Sequence, residues 1–99
     1  MIVERRTQLS QNTERSRYEI TRADQVIGVL DYRDEGAIVV LPHTYIDPSA
    51  RGRGLAAKLV RFALDDLRAK QRSIDPQCWF VAQFIATHAD YQDLVAPAS

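Results

Sequence analysis

The 99-residue sequence predicts an α/β (α+β) domain: a mainly antiparallel sheet with one splayed parallel strand pair, and two main helices. Three observations predict it. Residues 16–46 hold short apolar runs and alternations separated by turn residues, the pattern of consecutive strands. Residues 52–70 repeat apolar side chains at helical spacing. Ser73-Ile74-Asp75 then reads as a very short strand, and a strand, a crossover helix and a second strand make a right-handed unit with parallel strands.

Composition bounds the possibilities. A chain of this length makes one domain, residues 1–99 with a core at about 16–95, and buries roughly two-thirds of its unfolded surface. Thirteen basic residues balance thirteen acidic ones, so no global field recruits nucleic acid or a membrane surface. The single cysteine, Cys78, excludes an internal disulfide and fits a reducing compartment, with the cytoplasm as the expected location. No apolar run approaches the ~20 residues of a membrane span, and MIVERRTQLSQ lacks the apolar stretch of a signal peptide.

Taken in order, residues 1–14 are polar, with Ile2, Val3 and Leu9 as isolated apolar positions. Either a short leading strand or a loose arm fits. Tyr18 and Ile20 alternate with polar neighbours as a first clear strand, and Ala23-Asp24-Gln25 connects it to a second, Val26–Arg33. Asp34-Glu35-Gly36 forms the next turn. The third strand, Ala37–Leu41, is almost wholly apolar, as burial on both faces requires. Pro42 interrupts pairing, and His43–Ile46 is either a fourth strand or a bent continuation of the third. Asp47-Pro48-Ser49 closes this antiparallel meander.

The first long helix is expected from about Gly52 to Lys70. Leu55, Leu59, Phe62, Ala63 and Leu67 share one face, while Lys58, Arg61, Asp65, Arg68 and Arg72 form a charged face that reads mainly as solvated surface. Asp75 as N-cap and Pro76 at the first position predict a second helix carrying Phe80, Val81, Phe84 and Ile85 inward and ending near His88. Tyr91, Leu94 and Val95 mark a tail that frays.

The chemistry concentrates in Arg51-Gly52-Arg53-Gly54-Leu55-Ala56, between strand and helix. Glycines let a backbone approach a bulky ligand. The unpaired N–H groups and partial positive charge of a helix start make an anion site, for which phosphate or pyrophosphate is the natural occupant. Two other phosphate patterns are weaker. Gly52-x-Gly54-x-x-Ala57 followed by Asp75 matches a dinucleotide fingerprint, but too little chain follows for a second mononucleotide half. No Gly-Lys-Ser/Thr follows the first glycine, which excludes a P-loop. A glycine turn that merely starts a helix is the plain alternative.

The same turn resembles the Arg/Gln-x-x-Gly-x-Gly/Ala signature of the GNAT superfamily of acetyl-coenzyme A-dependent N-acetyltransferases. Tyr18-Glu19-Ile20, Gly28–Tyr32, His43-Thr44, Arg51-Gly52-Arg53-Gly54, Pro76-x-Cys78-x-Phe80-Val81 and His88-x-x-Tyr91-x-Asp93-Leu94-Val95 occur in that order. This series is similar to the small, single-domain GNAT-like family of YjdJ-like proteins, over roughly residues 16–95. The resemblance implies a minimal GNAT-like fold that binds acetyl-CoA and passes its acetyl group to an unidentified amine acceptor, a small molecule or a protein. It implies that Arg51, Gly52, Arg53, Gly54, Leu55, Ala56 and Lys58 hold the coenzyme pyrophosphate. The chain is too short for two helices and a final strand pair that help build the amine site in larger members. A coenzyme-binding sensor or partner module without turnover is the rival reading.

Three side chains are the catalytic candidates. Cys78, placed at the third position of the second helix, would have its thiolate favoured there and could accept the acetyl group, while a buried structural cysteine is the plain alternative. His43 can take a proton from the amine or from Cys78. Tyr91 resembles the tyrosine that protonates the leaving thiolate in many GNAT enzymes, although packing the tail onto the core explains it as well. Trp79 sits either at the pocket mouth or packed at a helix start. His88 is expected at a helix C-terminus without a catalytic role, and no spacing suggests a metal site. A nucleic-acid face built from Arg51, Arg53, Arg61 and Arg68 sits poorly with zero net charge.

Overall fold

A computed structural model describes residues 6–97. Five strands, β1 (Thr7–Asn12), β2 (Arg17–Arg22), β3 (Gln25–Glu35), β4 (Ile38–Ile46) and β5 (Ser73–Asp75), lie in that spatial order. The first four pair antiparallel, and β5 joins β4 in parallel after the crossover helix α1 (Leu55–Ala69). A second helix, α2 (Trp79–Ala86), and a 3-10 segment, Ala89–Leu94, complete the chain. The sequence-predicted class holds.

The leading segment is a strand, β1, paired with β2 from Thr7 opposite Arg22 to Asn12 opposite Arg17. Ile2 and Val3 lie outside the described residues. Ala23 and Asp24 both take positive φ (51° and 64°), the geometry of a two-residue hairpin that continues the strand twist. β3 runs on to Glu35, beyond the expected end at Arg33. The next turn then falls at Gly36-Ala37, with the Gly36 N–H donating to Asp34 Oδ1 at 3.0 Å.

Of the two expected readings of His43–Ile46, the bent continuation of the third strand is the one found: both runs lie in β4. Pro42 does not end β4, because it sits at a bulge: Arg33 pairs with Val40 and Asp31 with His43, so Leu41-Pro42 oppose Tyr32 alone. A bulge leaves one residue without a ladder bond, which is where a proline fits. The extra residue also exchanges the faces of everything after it. Thr44 and Ile46 consequently share the helix-covered face with Leu30 and Gly28, while His43 and Tyr45 point the other way with Asp31 and Val29.

α1 begins at Leu55, three residues later than expected, because Gly52 and Gly54 both adopt left-handed φ (79° and 73°) and break the helical path. Leu55, Leu59, Val60, Ala63, Leu64 and Leu67 face the sheet and are buried with Tyr18, Ile20, Leu30, Leu41 and Ile74. Phe62 is only half-buried and packs edge-on against Tyr18, ring centroids 6.0 Å apart. A polar chain stitches the sheet edge to α1. Tyr18 OH donates to Asp66 Oδ2 (2.7 Å), Lys70 Nζ donates to Asp66 (2.8 Å) and to Gln11 (2.9 Å), and Gln11 Nε2 donates to Tyr32 OH (2.9 Å).

α2 also starts later than the Asp75-Pro76 signal predicts. Asp75 is held in the sheet opposite Val40, and the Cys78 N–H donates to Leu41 O at 2.8 Å, which keeps the backbone extended through Cys78. Cys78 is therefore the N-cap residue and not the third helical position.

The charged face of α1 is not simply solvated. Arg68 grips Asp93 with two nitrogens (2.9 and 3.0 Å), Tyr91 OH donates to Asp65 (2.6 Å), and Arg61 Nη1 donates to Tyr91 OH (3.0 Å). Arg72 pairs with Asp34. The tail is thereby fastened, and Val95 bridges to Ile74 beside β5.

Candidate functional site

The site follows from the way β4 and β5 part. They pair only from Ile38 to Val40, after which β4 continues to Ile46 with no strand beside its outer edge among the described residues. Among those residues only Leu41 O (from Cys78 N–H) and Ile46 O (from Arg51 Nε) are engaged there. A cleft of about 360 Å³ lies between that edge and the start of α1, lined by Ile46, Ala50, Arg51, Gly52, Gly54, Leu55, Ala56, Ala57 and Phe80. A second hollow of about 290 Å³ shares Ile46, Arg51, Ala56 and Phe80 and extends along β4 to Tyr45 and Thr44. Together they form a mostly apolar trough with one polar end.

The polar end is the glycine turn. The first intrahelical bond of α1 is Lys58 N–H to Gly54 O (3.2 Å), so the amides of Leu55, Ala56 and Ala57 have no helical acceptor. No acidic side chain lies in the first turn, and Gly54 offers no side-chain cap. An anion placed there meets three free N–H groups and the helix dipole without competition. A Cβ on Gly52 or Gly54 would meet nothing within 4 Å, so these glycines serve the left-handed backbone and not a tight contact inside the protein.

The predicted loop residues divide. Arg51, Gly52, Gly54, Leu55 and Ala56 line the cleft. Arg51 is bent back over it, its Nε donating to Ile46 O (2.8 Å) and its guanidinium lying 5.7 Å from the Tyr45 ring centre. Arg53 stands exposed at the tip of the turn. Lys58 points elsewhere: it borders a separate hollow with Thr7, Leu9, Arg61, Phe62 and Asp65, on the β1 side of α1. One residue beyond Ala57, which lines the cleft, Lys58 is turned by about 100° around the helix axis toward that flank.

The catalytic candidates are not one cluster. Cys78 Sγ lies 3.2 Å from Thr44 Oγ1, and Thr44 lines the end of the second hollow away from the glycine turn. His43 projects from the opposite face of β4, where its Nδ1 is 2.9 Å from Asp31 Oδ2. The Pro42 bulge sets the two on opposite faces of β4, each with its own partner. Tyr91 borders neither part of the trough. Its hydroxyl is engaged by Asp65 and Arg61, and burial together with the Asp65 carboxylate raises its pKa. His88 stacks on Phe84 (3.9 Å) and its Nδ1 lies 2.6 Å from Phe84 O, as a helix-end residue should.

Several lining residues escaped the sequence reading. Ile46, Ala50 and Ala57 carry no chemical signal, and Phe80, expected inward, packs half-buried against the core and also walls the trough. Thr44 was visible only as half of His43-Thr44. Trp79 stands 75% exposed, so it is not packed against the helix start, and it lines neither hollow. Arg61 and Arg68 are taken up by the tail, which removes half of the supposed nucleic-acid face. Among the described residues no cluster of three metal-binding side chains occurs, and no helix is long and apolar enough to cross a membrane.

A mixed five-stranded sheet that splays at its parallel pair, with a glycine turn feeding the crossover helix, defines the GNAT fold. The sequence profile described as GCN5-related N-acetyl-transferase matches residues 17–94, and the chain belongs to that family. The fold is similar to the NMR structure of a GCN5-like protein from Staphylococcus aureus, at 18% identity and a TM-score of 0.70, covering 93% of this chain and 90% of that one. It is also similar to the ribosomal-protein-alanine N-acetyltransferase of Brucella melitensis biovar Abortus 2308, at 17% identity and a TM-score of 0.53. That match covers 84% of this chain and 62% of the Brucella protein. No curated protein matches the chain in sequence.

Proposed function

We propose that this protein binds acetyl-CoA along the trough and transfers the acetyl group to an amine. The observation that carries the reading is the junction of two complementary parts. The free amides of Leu55, Ala56 and Ala57, with the Gly52 and Gly54 turn, suit a pyrophosphate. The apolar channel from Ile46 and Phe80 to Thr44 suits an extended arm ending in a thioester. Arg51 and Arg53 add positive charge at the anionic end. Family membership supports the same assignment. A free cysteine fits a cytoplasmic setting.

In the transfer itself, an edge N–H of β4 past the splay polarises the thioester carbonyl. His43, on the outer face beside that edge, removes a proton from the attacking amine. The C–N bond forms as the C–S bond breaks, and the departing thiolate takes up the proton equivalent through solvent. Cys78 is better cast here as a residue packed against the core and held by Thr44 than as an acyl carrier. The binding-only reading remains the rival, since His43, the base of the transfer, stands 59% exposed.

Native mass spectrometry with acetyl-CoA, followed by a denatured spectrum, tests both. A one-to-one complex that leaves no acetyl mark on denaturation is expected, together with its loss in Gly54→Glu, whose carboxylate would oppose an anion at the helix start. A Gly54→Glu protein that binds normally overturns the placement of the site. An acetyl adduct abolished by Cys78→Ser overturns direct transfer in favour of the covalent route. Binding without turnover over a panel of amines favours the sensor.

A further inference from the structure

We propose that Asp31 is a positioning residue for His43, fixing the imidazole tautomer that can accept the amine proton. The inference rests on the transferase reading above and adds a residue to it. Its basis is a row of side chains crossing the face of the sheet opposite α1. Arg17 on β2 stands opposite Asp31 on β3, and Asp31 stands opposite His43 on β4.

The row exists because of the bulge. Before it, Arg33 faces Val40 and Asp34 faces Val39; continued unchanged, that register would set Asp31 against Pro42. The extra residue in β4 advances the pairing by one and brings His43 to Asp31 instead, on the same face. The two side chains then meet at 2.9 Å, Asp31 Oδ2 to His43 Nδ1. An ionised carboxylate can only accept a hydrogen bond, so Nδ1 must carry the hydrogen and Nε2 of the neutral ring is left as the acceptor. His43 is 59% exposed, which leaves Nε2 open to an incoming amine.

The surroundings are consistent with that division of labour. On β2, Glu19 is occupied by Arg17 (2.7 Å) and by Asn12 (3.1 Å). Further along β3, Arg33 and Glu35 pair with each other at 2.8 Å. Tyr45 is the next residue on this face of β4, under the Arg51 guanidinium. Asp31 is thus the carboxylate that the fold leaves for His43, while Cys78 and Thr44 lie across the strand. The arrangement follows the general logic of a carboxylate that orients a histidine base without contacting substrate.

The test combines ring-nitrogen NMR with steady-state kinetics, using acetyl-CoA with n-butylamine and with a lysine-containing peptide as acceptors. In the wild-type protein, neutral His43 should hold its hydrogen on Nδ1. In Asp31→Ala the Nε2–H form, favoured in free histidine, should predominate. The kcat should fall at least tenfold while KM for acetyl-CoA stays within twofold, and Asp31→Glu should recover part of the loss. An unchanged tautomer in Asp31→Ala overturns the proposal. So does a changed tautomer with unchanged kcat. A wild-type protein that binds acetyl-CoA, shows the Nδ1–H form, yet acetylates neither acceptor while His43→Ala behaves identically marks failure of the transferase reading itself, and the catalytic assignment of Asp31 falls with it.

Discussion

Tyr18 shows how one residue can tie several elements. Its ring is fully buried between β2 and α1, touching Tyr32 and Phe62, while its hydroxyl reaches Asp66. Burial and the Asp66 carboxylate both push the phenol's pKa well above its ordinary value of 10. Burial alone would raise Asp66 as well, but hydrogen bonds from Lys70 and from Tyr18, with the Lys70 charge, hold it below the usual carboxylate range. Removing the hydroxyl strands a partly buried acceptor. Tyr18→Phe should therefore lose about 1–2 kcal/mol of stability, measured by urea unfolding, with acetyl-CoA affinity unchanged because the residue is remote from the trough. A variant as stable as wild type would show that Lys70 alone satisfies Asp66.

At the scale of elements, the spacing of β2, β3 and β4 depends on Gly28. A Cβ there would fall 2.5 Å from Ile46 Cδ1 and 2.8 Å from Ile20 Cγ2, with Tyr45 O at 3.2 Å. Ile20 is fully buried and Ile46 nearly so, and Ile46 also walls the trough. Gly28→Ala should then cost about 1–3 kcal/mol through overpacking and, by displacing Ile46, weaken acetyl-CoA binding several-fold. Thermal melts and calorimetric titration of the same sample check both halves. Lost stability with intact affinity would mean that Ile20, and not Ile46, gives way.

Across the whole molecule, the carboxylates set the response to acid. Glu19 is held low chiefly by Arg17, Asp34 by the Gly36 amide and Arg72, Asp47 by Ser49, and Asp93 by Arg68, alongside Asp66. Groups with depressed native pKa values contribute stability above their unfolded values near ~4 and lose it as pH falls through the native ones. Tyr18 and Tyr91 are raised, so their contribution is complete below the unfolded value of about 10 and is lost as pH climbs beyond it. Tm should be flat from about pH 5 to 9 and decline on both sides. Tyr18→Phe should flatten the alkaline limb, and an alkaline limb unaltered by that change would assign it to other groups.

The sequence by itself determined the class of fold, the order of its elements and the glycine turn that leads into α1, because each is local. Alternation writes strands, helical spacing writes α1, and two glycines before a helix leave amides free whatever the rest of the chain does. Tertiary structure decided what local signals could not carry. Pairing of Asp75 with Val40, and the bond from Cys78 to Leu41, overrode an otherwise sound N-cap and moved the cysteine to the helix boundary. Docking of the tail turned a charged surface of α1 into a clamp and drew Tyr91 away from the trough. A single bulge at Leu41-Pro42 shifted the register of β4, setting His43 against Asp31 and placing it across the strand from Cys78. Register is a relation between two strands, and no periodicity within one of them records it.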